Sequence, residues 1–194
     1  MSLNPNTVEL IEHEVAIFGY GSLLSVPSLE VTLKRRYRGP FVACSIEGWR
    51  RSWNVAMPNQ TFYAETPSGS LFPEGIIYLN VTAQPSSLLN GVLFVVGREE
   101  LPAMDEREWI YDRKAITDQL RGVNISGGDA FTYVAKPEYV VTGVTSPAIA
   151  AIRASYLAIL ETGLSDLGSS FREDYEQSSA PVPRHLVIDD IRKK

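Results

Sequence analysis

Val15-Ala16-Ile17-Phe18-Gly19-Tyr20-Gly21-Ser22-Leu23-Leu24 is the stretch on which the reading of this chain turns. The apolar run Val15 to Phe18 fits a buried strand, and Gly19 and Gly21 end it in a glycine loop. Such a loop lets backbone approach a ligand closely, and N–H groups exposed after a strand hold an anion, so a carboxylate cradle is one reading. Ser22 adds a hydroxyl donor to it. The other reading is a tight turn in which glycine merely supplies unusual backbone angles.

Three familiar glycine motifs do not fit. A dinucleotide fingerprint needs a third glycine where Leu24 stands, and no regular βαβ alternation follows. A phosphate loop needs Gly-Lys-Ser/Thr after the glycines, and none follows. A serine nucleophile elbow needs glycine two residues after the serine, where Leu24 stands again. The two histidines, His13 and His185, lie near the ends of the sequence, leaving no central base for Ser22 or for the single cysteine, Cys44.

Outward from the loop, Ser28 to Arg36 reads as a short helix with Ser28 as its cap and Leu29 and Leu33 on one face. Phe41 to Asn54 reads as strand, and Pro58 to Glu74, with its prolines, Gly69 and several Ser and Thr, as a long loop. Gly75 to Val81 and Gly91 to Val96 read as two strands separated by a turn at Pro85 or Ser86. Glu99 to Glu108 is a short helix. Lys114 to Ile125 and Ala130 to Lys136 flank Ser126-Gly127-Gly128-Asp129 as a hairpin. Ser146-Pro147 predicts a helix start, with Ile149, Ile152, Tyr156 and Ile159/Leu160 at helical spacing and Gly163 as the stop. A second short helix spans Ser169 to Gln177. Strands first and helices last predict an α+β fold: one domain over 1–194, with a core of about 13–178 and a C-terminal tail over 179–194 that docks or stays loose.

The chain has 194 residues, 44% of them hydrophobic and 21% charged, with a net charge of −5. That composition supports a real core and argues against nucleic acid as the main partner. One cysteine excludes an internal disulfide framework, and so few Cys and His make a zinc site a poor fit. No stretch approaches the ~20 apolar residues that span a bilayer, and no basic region followed by an apolar one opens the sequence. A cytoplasmic protein without a membrane partner is the expectation.

A second segment carries chemistry: Leu101-Pro102-Ala103-Met104-Asp105-Glu106-Arg107-Glu108-Trp109-Ile110-Tyr111. Its carboxylates read either as a solvated helix end or as a site. Glu108 adjoins Trp109, Ile110 and Tyr111, the start of an apolar strand. A carboxylate at that junction is partly buried, which raises its pKa toward a range useful for proton transfer. Glu108 is therefore a better base candidate than Asp105 or Glu106.

Phe18-Gly19-Tyr20-Gly21-Ser22-Leu23, followed about 85 residues on by Met104-Asp105-Glu106-Arg107-Glu108 and an aromatic strand, resembles the γ-glutamylcyclotransferase superfamily, including its ChaC-like and AIG2-like branches. Gly48-Trp49-Arg50-Arg51 and Gly91-Val92-Leu93-Phe94 are similar to ChaC-type features, so the likeness covers about Val15 to Leu164. It implies a small mixed β-barrel flanked by helices. It implies a reaction without metal or cofactor, in which the α-amine of a small γ-glutamyl substrate attacks its own γ-carbonyl to give 5-oxoproline and a free amine. It places the catalytic Glu on Glu108 and substrate binding on Tyr20, Gly21, Ser22 and Leu23, with Tyr133 and Tyr111 as further cavity tyrosines. Leu23 stands where some members carry Asn, and Ile149 where some carry a tyrosine after Ser-Pro; Tyr111 sits closer to the acid than in some members. Arg50, Arg51 and Arg113 are candidates for a second carboxylate on the leaving portion, or plain surface charge. A larger γ-glutamyl-capped metabolite, or a non-catalytic binding module on the same fold, are the alternatives.

Overall fold

The computed structural model describes residues 7–193. Strand β1 (Thr7–Glu9) leads to β2 (Glu14–Gly19) and helix α1 (Val26–Leu33), and then to β3 (Phe41–Pro58). A hairpin of β4 (Phe62–Thr66) and β5 (Gly69–Leu71) separates β3 from the longest strand, β6 (Gly75–Gly97). Helix α2 (Leu101–Arg107) is followed by β7 (Tyr111–Ala115), β8 (Leu120–Arg121), β9 (Asn124–Ser126) and β10 (Ala130–Ala135). Then come β11 (Ala150–Arg153), α3 (Ala154–Leu167), α4 (Ser169–Gln177), β12 (Val187–Ile188) and β13 (Ile191–Arg192).

The fold is α+β, built on a large mixed sheet in the order β12-β11-β6-β2-β10-β7, with β3 pairing both β6 and β8. β6 is its spine. Its second half pairs antiparallel with β2 on one side (Val15 with Val96, Phe18 with Leu93) and with β3 on the other (Phe41 with Phe94, Cys44 with Gly91). A strand flanked on both sides and covered on both faces must be apolar throughout, which is why Gly91 to Val96 is an unbroken buried run. β2 pairs parallel with β10, and β10 antiparallel with β7. Among the described residues the ladders do not close into a ring, but Val55 forms a bridge with Val140, and Val141 N–H donates to Asn54 O (2.9 Å), so the segment after β10 is tied back to β3.

Several elements differ from the sequence expectation. Ser25, not Ser28, caps α1: its Oγ accepts from Ser28 N–H, and Pro27 occupies the first turn, where its missing N–H costs nothing. The expected turn at Pro85 or Ser86 is a bulge inside β6. There the step from Ala83 to Leu88 faces the shorter step from Glu47 to Trp49, with Ser86 (φ 64°) and Gly48 (φ 87°) taking left-handed angles. The expected loop over 58–74 contains the β4–β5 hairpin. The pairing expected across Ser126–Asp129 is made instead by β7 with β10, while β9 pairs parallel with β1. Ser146-Pro147 starts no helix; Ala150–Arg153 form a strand between β6 and β12, and the helix begins at Ala154. The segment after 178 is docked: Ala180 N–H donates to Arg51 O (2.9 Å), β12 pairs with β11, and β13 pairs with β4.

Gly163 does not stop α3 but lies within it. A Cβ at this position would stand 2.8 Å from the backbone C and O of Leu24, so the helix presses directly on the turn after β2. Glycine to alanine inside a helix normally stabilises by about 1 kcal/mol. Here Gly163→Ala is expected to lower stability by about 1–2 kcal/mol, because overpacking outweighs propensity. Denaturant unfolding checks this, and a variant as stable as the parent would show that α3 is free to shift away from the turn.

Candidate active site

The end of β2, the end of α2 and the tyrosines of β6, β7, β10 and α3 converge on a cavity of about 230 Å³. Gly19 to Leu23 form one wall, Arg107 to Tyr111 another, and Tyr78, Tyr133 and Tyr156 stand around it. Sequence positions near 20, 108, 133 and 156 thus meet because β2 lies between β6 and β10, and α2 runs directly into β7.

Glu108 terminates α2. Its N–H donates to Met104 O (2.9 Å), and its own C=O accepts from Tyr111 N–H (2.7 Å), which fixes the step from helix to strand. Its side chain keeps 15% of its exposure and lines the cavity. Burial pushes its pKa up from the ordinary carboxylate range; the Arg107 guanidinium, with Nε 2.9 Å from Oε1, holds back part of that rise. Asp105 and Glu106, by contrast, do not line the cavity. Asp105 pairs with Arg113 (2.8 Å) and accepts from Tyr133 Oη (2.9 Å).

Arg107 is the residue the sequence analysis left without a role. Its Nη1 donates to Ser28 O (2.8 Å) and Thr32 Oγ1 (2.6 Å), and its Nη2 to Ser22 Oγ (2.8 Å) and Ser28 Oγ (2.9 Å). One guanidinium therefore fixes the distance between the glycine loop, the first turn of α1 and Glu108. Because Ser22 Oγ accepts from Arg107, its own O–H remains free to donate into the cavity. The signal was present in the sequence, as an arginine inside the acidic segment, but its partners are recognisable only in three dimensions.

Behind the loop, Tyr20 Oη donates to Tyr133 O (2.7 Å), and Tyr20 O accepts from Arg51 Nε (2.9 Å). Tyr111 Oη donates to Leu79 O (2.8 Å). Burial raises the pKa of Tyr20, Tyr111, Tyr133 and Tyr156, so all four hydroxyls are neutral donors at ordinary pH. Tyr156, read from sequence only as helix packing, stands edge-on to Tyr78 (4.9 Å) and Trp53 (6.2 Å). A Cβ on Gly21 would come within 3.0 Å of the Tyr156 hydroxyl, so only glycine leaves that approach open. Leu23 is buried in the core, while its neighbour Ser22 turns toward Arg107.

Of the arginines considered from sequence for a second carboxylate, none lines the cavity. Arg51 is fully buried, and Arg113 is tied to Asp105. Arg153, which sequence reasoning did not single out, lines it instead. Cys44 is buried, and its thiol is pushed up to about 12, which makes it inert as a nucleophile. Among the described residues, no three His, Cys, Asp or Glu side chains gather as metal ligands. No described helix is long and apolar enough to cross a membrane.

No protein-family model matches the chain, and no curated protein matches it significantly. Solved structures do share its fold. An uncharacterized protein from Homo sapiens superposes with a TM-score of 0.58 at 13% identity, over 92% of this chain and 95% of its own. A γ-glutamyl cyclotransferase superposes with a TM-score of 0.57 at 12% identity, over 91% and 94%. A yeast γ-glutamyl cyclotransferase specific to glutathione gives 0.53 at 15%, over 87% and 98%. The chain thus has the γ-glutamylcyclotransferase-like fold, at identities that speak to fold alone.

Glu108 binds its proton more tightly in the folded protein than in the unfolded chain. Its contribution to stability is complete below the unfolded pKa and is lost as pH rises through the folded one. Glu108→Gln removes that titration. Thermal melting across the acid-to-neutral range is expected to show the variant gaining on the wild type as pH rises. A difference independent of pH would mean that the carboxyl is not raised.

Proposed function

We propose that this protein is a metal-independent γ-glutamylcyclotransferase that converts a small γ-glutamyl amide into 5-oxoproline and a free amine. The observation that carries the reading is the placement of a largely buried carboxylate with a raised pKa, Glu108, across one cavity from the Gly19–Leu23 loop. The likeness in fold to γ-glutamyl cyclotransferases supports it.

In this reading the backbone N–H groups of Gly21 and Ser22, with the Ser22 hydroxyl, hold the α-carboxylate of the substrate. Glu108 accepts a proton from the α-ammonium group. The freed amine nitrogen attacks the γ-carbonyl carbon, forming the bond that closes a five-membered ring. As the carbon–nitrogen bond to the leaving amine breaks, Glu108 returns its proton to that nitrogen and relays to it the second proton shed by the ring nitrogen, so that a neutral lactam and an ammonium ion leave. Holding the γ-glutamyl group folded in a confined cavity supplies much of the acceleration, because the attack is intramolecular. A pKa raised by burial suits a group that must both take and give a proton near neutral pH, and Arg107 keeps it from rising too far. The modest volume and the β4–β5 hairpin, pinned by β13, favour a small substrate over a large capped metabolite.

Release of 5-oxoproline from glutathione, γ-glutamyl-alanine and γ-glutamyl-ε-lysine tests the proposal. Wild type should release it from at least one, and Glu108→Gln should lose about 10²-fold or more. Equal release by both proteins removes Glu108 from the chemistry; no release from any substrate leaves a binding module on the same fold. The acidic limb of kcat/KM should lie above the ordinary carboxylate range, since activity appears as Glu108 loses its proton. Arg107→Met should move that limb higher still, because the cation that offsets burial is gone; a limb that stays in place would deny Arg107 this part.

A further inference from the structure

We propose that Arg153 is the specificity-determining residue for the leaving amine, binding an anionic group, a carboxylate, on that part of the substrate. The inference rests on the cyclotransferase reading and names the substrate class within it. Two arginines line the cavity, Arg107 and Arg153. The guanidinium of Arg107 is consumed by Ser22, Ser28, Thr32 and Glu108. Arg153 is less fully engaged, its polar neighbours being Tyr78, Ser155 and Asp190. Its Nε is buried and has no hydrogen-bond partner, its Nη1 donates to Ser155 Oγ (3.2 Å), and Asp190 stands 3.7 Å away, beyond hydrogen-bond length. The Asp190 oxygens are instead taken up by Ser155 N–H (2.8 Å) and Ser155 Oγ (2.6 Å).

The flat faces of Arg153 are supported by aromatic rings. Its guanidinium carbon lies 4.0 Å from the centroid of Phe62 and 5.6 Å from that of Tyr78. A planar cation packed against aromatic rings, with Nε unpaired and 15% of its side chain still exposed, has the geometry to take a carboxylate. Tyr78 belongs to the cavity wall, but the other support comes from segments that otherwise have no part in the site. Phe62 belongs to the hairpin β4–β5, while Ile188 pairs with Arg153 in the β11–β12 ladder and Asp190 follows two residues on. The hairpin and the C-terminal strands therefore orient the leaving-group end of the cavity, as the glycine loop and α2 orient the γ-glutamyl end.

The test uses two ligands that differ only in that group, γ-glutamyl-alanine and γ-glutamyl-alaninamide, titrated calorimetrically into Glu108→Gln protein so that neither is turned over. The carboxylate ligand should bind about tenfold or more tightly than the amide, as for a hydrogen-bonded charge pair. Adding Arg153→Gln should collapse that preference to within about twofold. Asp190→Asn, which leaves Arg153 in place and removes its competing anion, should tighten the carboxylate ligand and leave the amide unchanged. Equal affinity for the two ligands, binding of neither, a preference that survives Arg153→Gln, or no response to Asp190→Asn would each overturn the proposal. Release of 5-oxoproline by the wild type decides the underlying reading separately: a carboxylate preference that depends on Arg153, without any release, keeps the subsite and removes the cyclotransferase.

Discussion

The guanidinium of Arg51 joins the glycine loop, the middle of β6 and the end of α4. It is fully buried and, among the described residues, pairs with no carboxylate, yet nearly every donor it carries is used. Nε donates to Tyr20 O (2.9 Å), Nη1 to Ser178 Oγ (2.8 Å) and Ser179 Oγ (3.1 Å), and Nη2 to Asn90 O and to Asn90 Oδ1 (3.0 Å). One face lies 3.9 Å from the centroid of the Tyr175 ring. Burial pushes its pKa down to about 10, so it stays charged at neutral pH. A buried charge is costly unless its hydrogen bonds are made, and here they are made by the glycine loop, the middle of β6 and the end of α4 together. None of the three can move without leaving a desolvated donor behind.

That constraint is what makes the loop after β2 a rigid wall. Arg51 fixes the Tyr20 carbonyl from behind, Arg107 fixes Ser22 from the side, and Gly163 lets α3 press on Leu24 from the other flank. The pull of Arg51 on the Tyr20 carbonyl also polarises the peptide that ends in the Gly21 N–H, which makes that N–H a stronger donor toward an anion. Both cations act on groups that the proposed chemistry needs, yet only Arg107 reaches the cavity, and it reaches it fully engaged.

The parts of this arrangement legible in the sequence were those carried by contiguous residues. A buried run ending in Gly-Tyr-Gly-Ser, and a carboxylate at the seam between a short helix and an aromatic strand, are local patterns, and both lie where the cavity forms. The Gly91 to Val96 run was legible as strand because both faces are covered. Patterns that depend on distant partners were not. Ile149, Ile152, Tyr156 and Ile159 happen to repeat at helical spacing, but Ala150 to Arg153 are held as strand by β6 and β12, which lie far away in sequence. The polar, proline-containing 58–74 segment looks like a loop because β13, which supports its hairpin, arrives more than a hundred residues later. Arg51, Arg107 and Arg153 are adjacent to the motifs or far from them without distinction; only their acceptors separate an anchor, a clamp and an open cation.

The docking of the last strands has a consequence for the order in which the protein matures during synthesis. The ladders β2–β6, β3–β6 and β2–β10 are complete once residue 135 is available, so the seat of Glu108 can form on an emerging chain. The acceptors at Ser178 and Ser179 that satisfy Arg51, and the strands that seat Arg153, come from the segment translated after both helices α3 and α4. Until residues 178–192 have emerged, the chain therefore holds a formed carboxylate seat beside an unfinished loop and an unfinished rim, and the site becomes whole only when that segment docks.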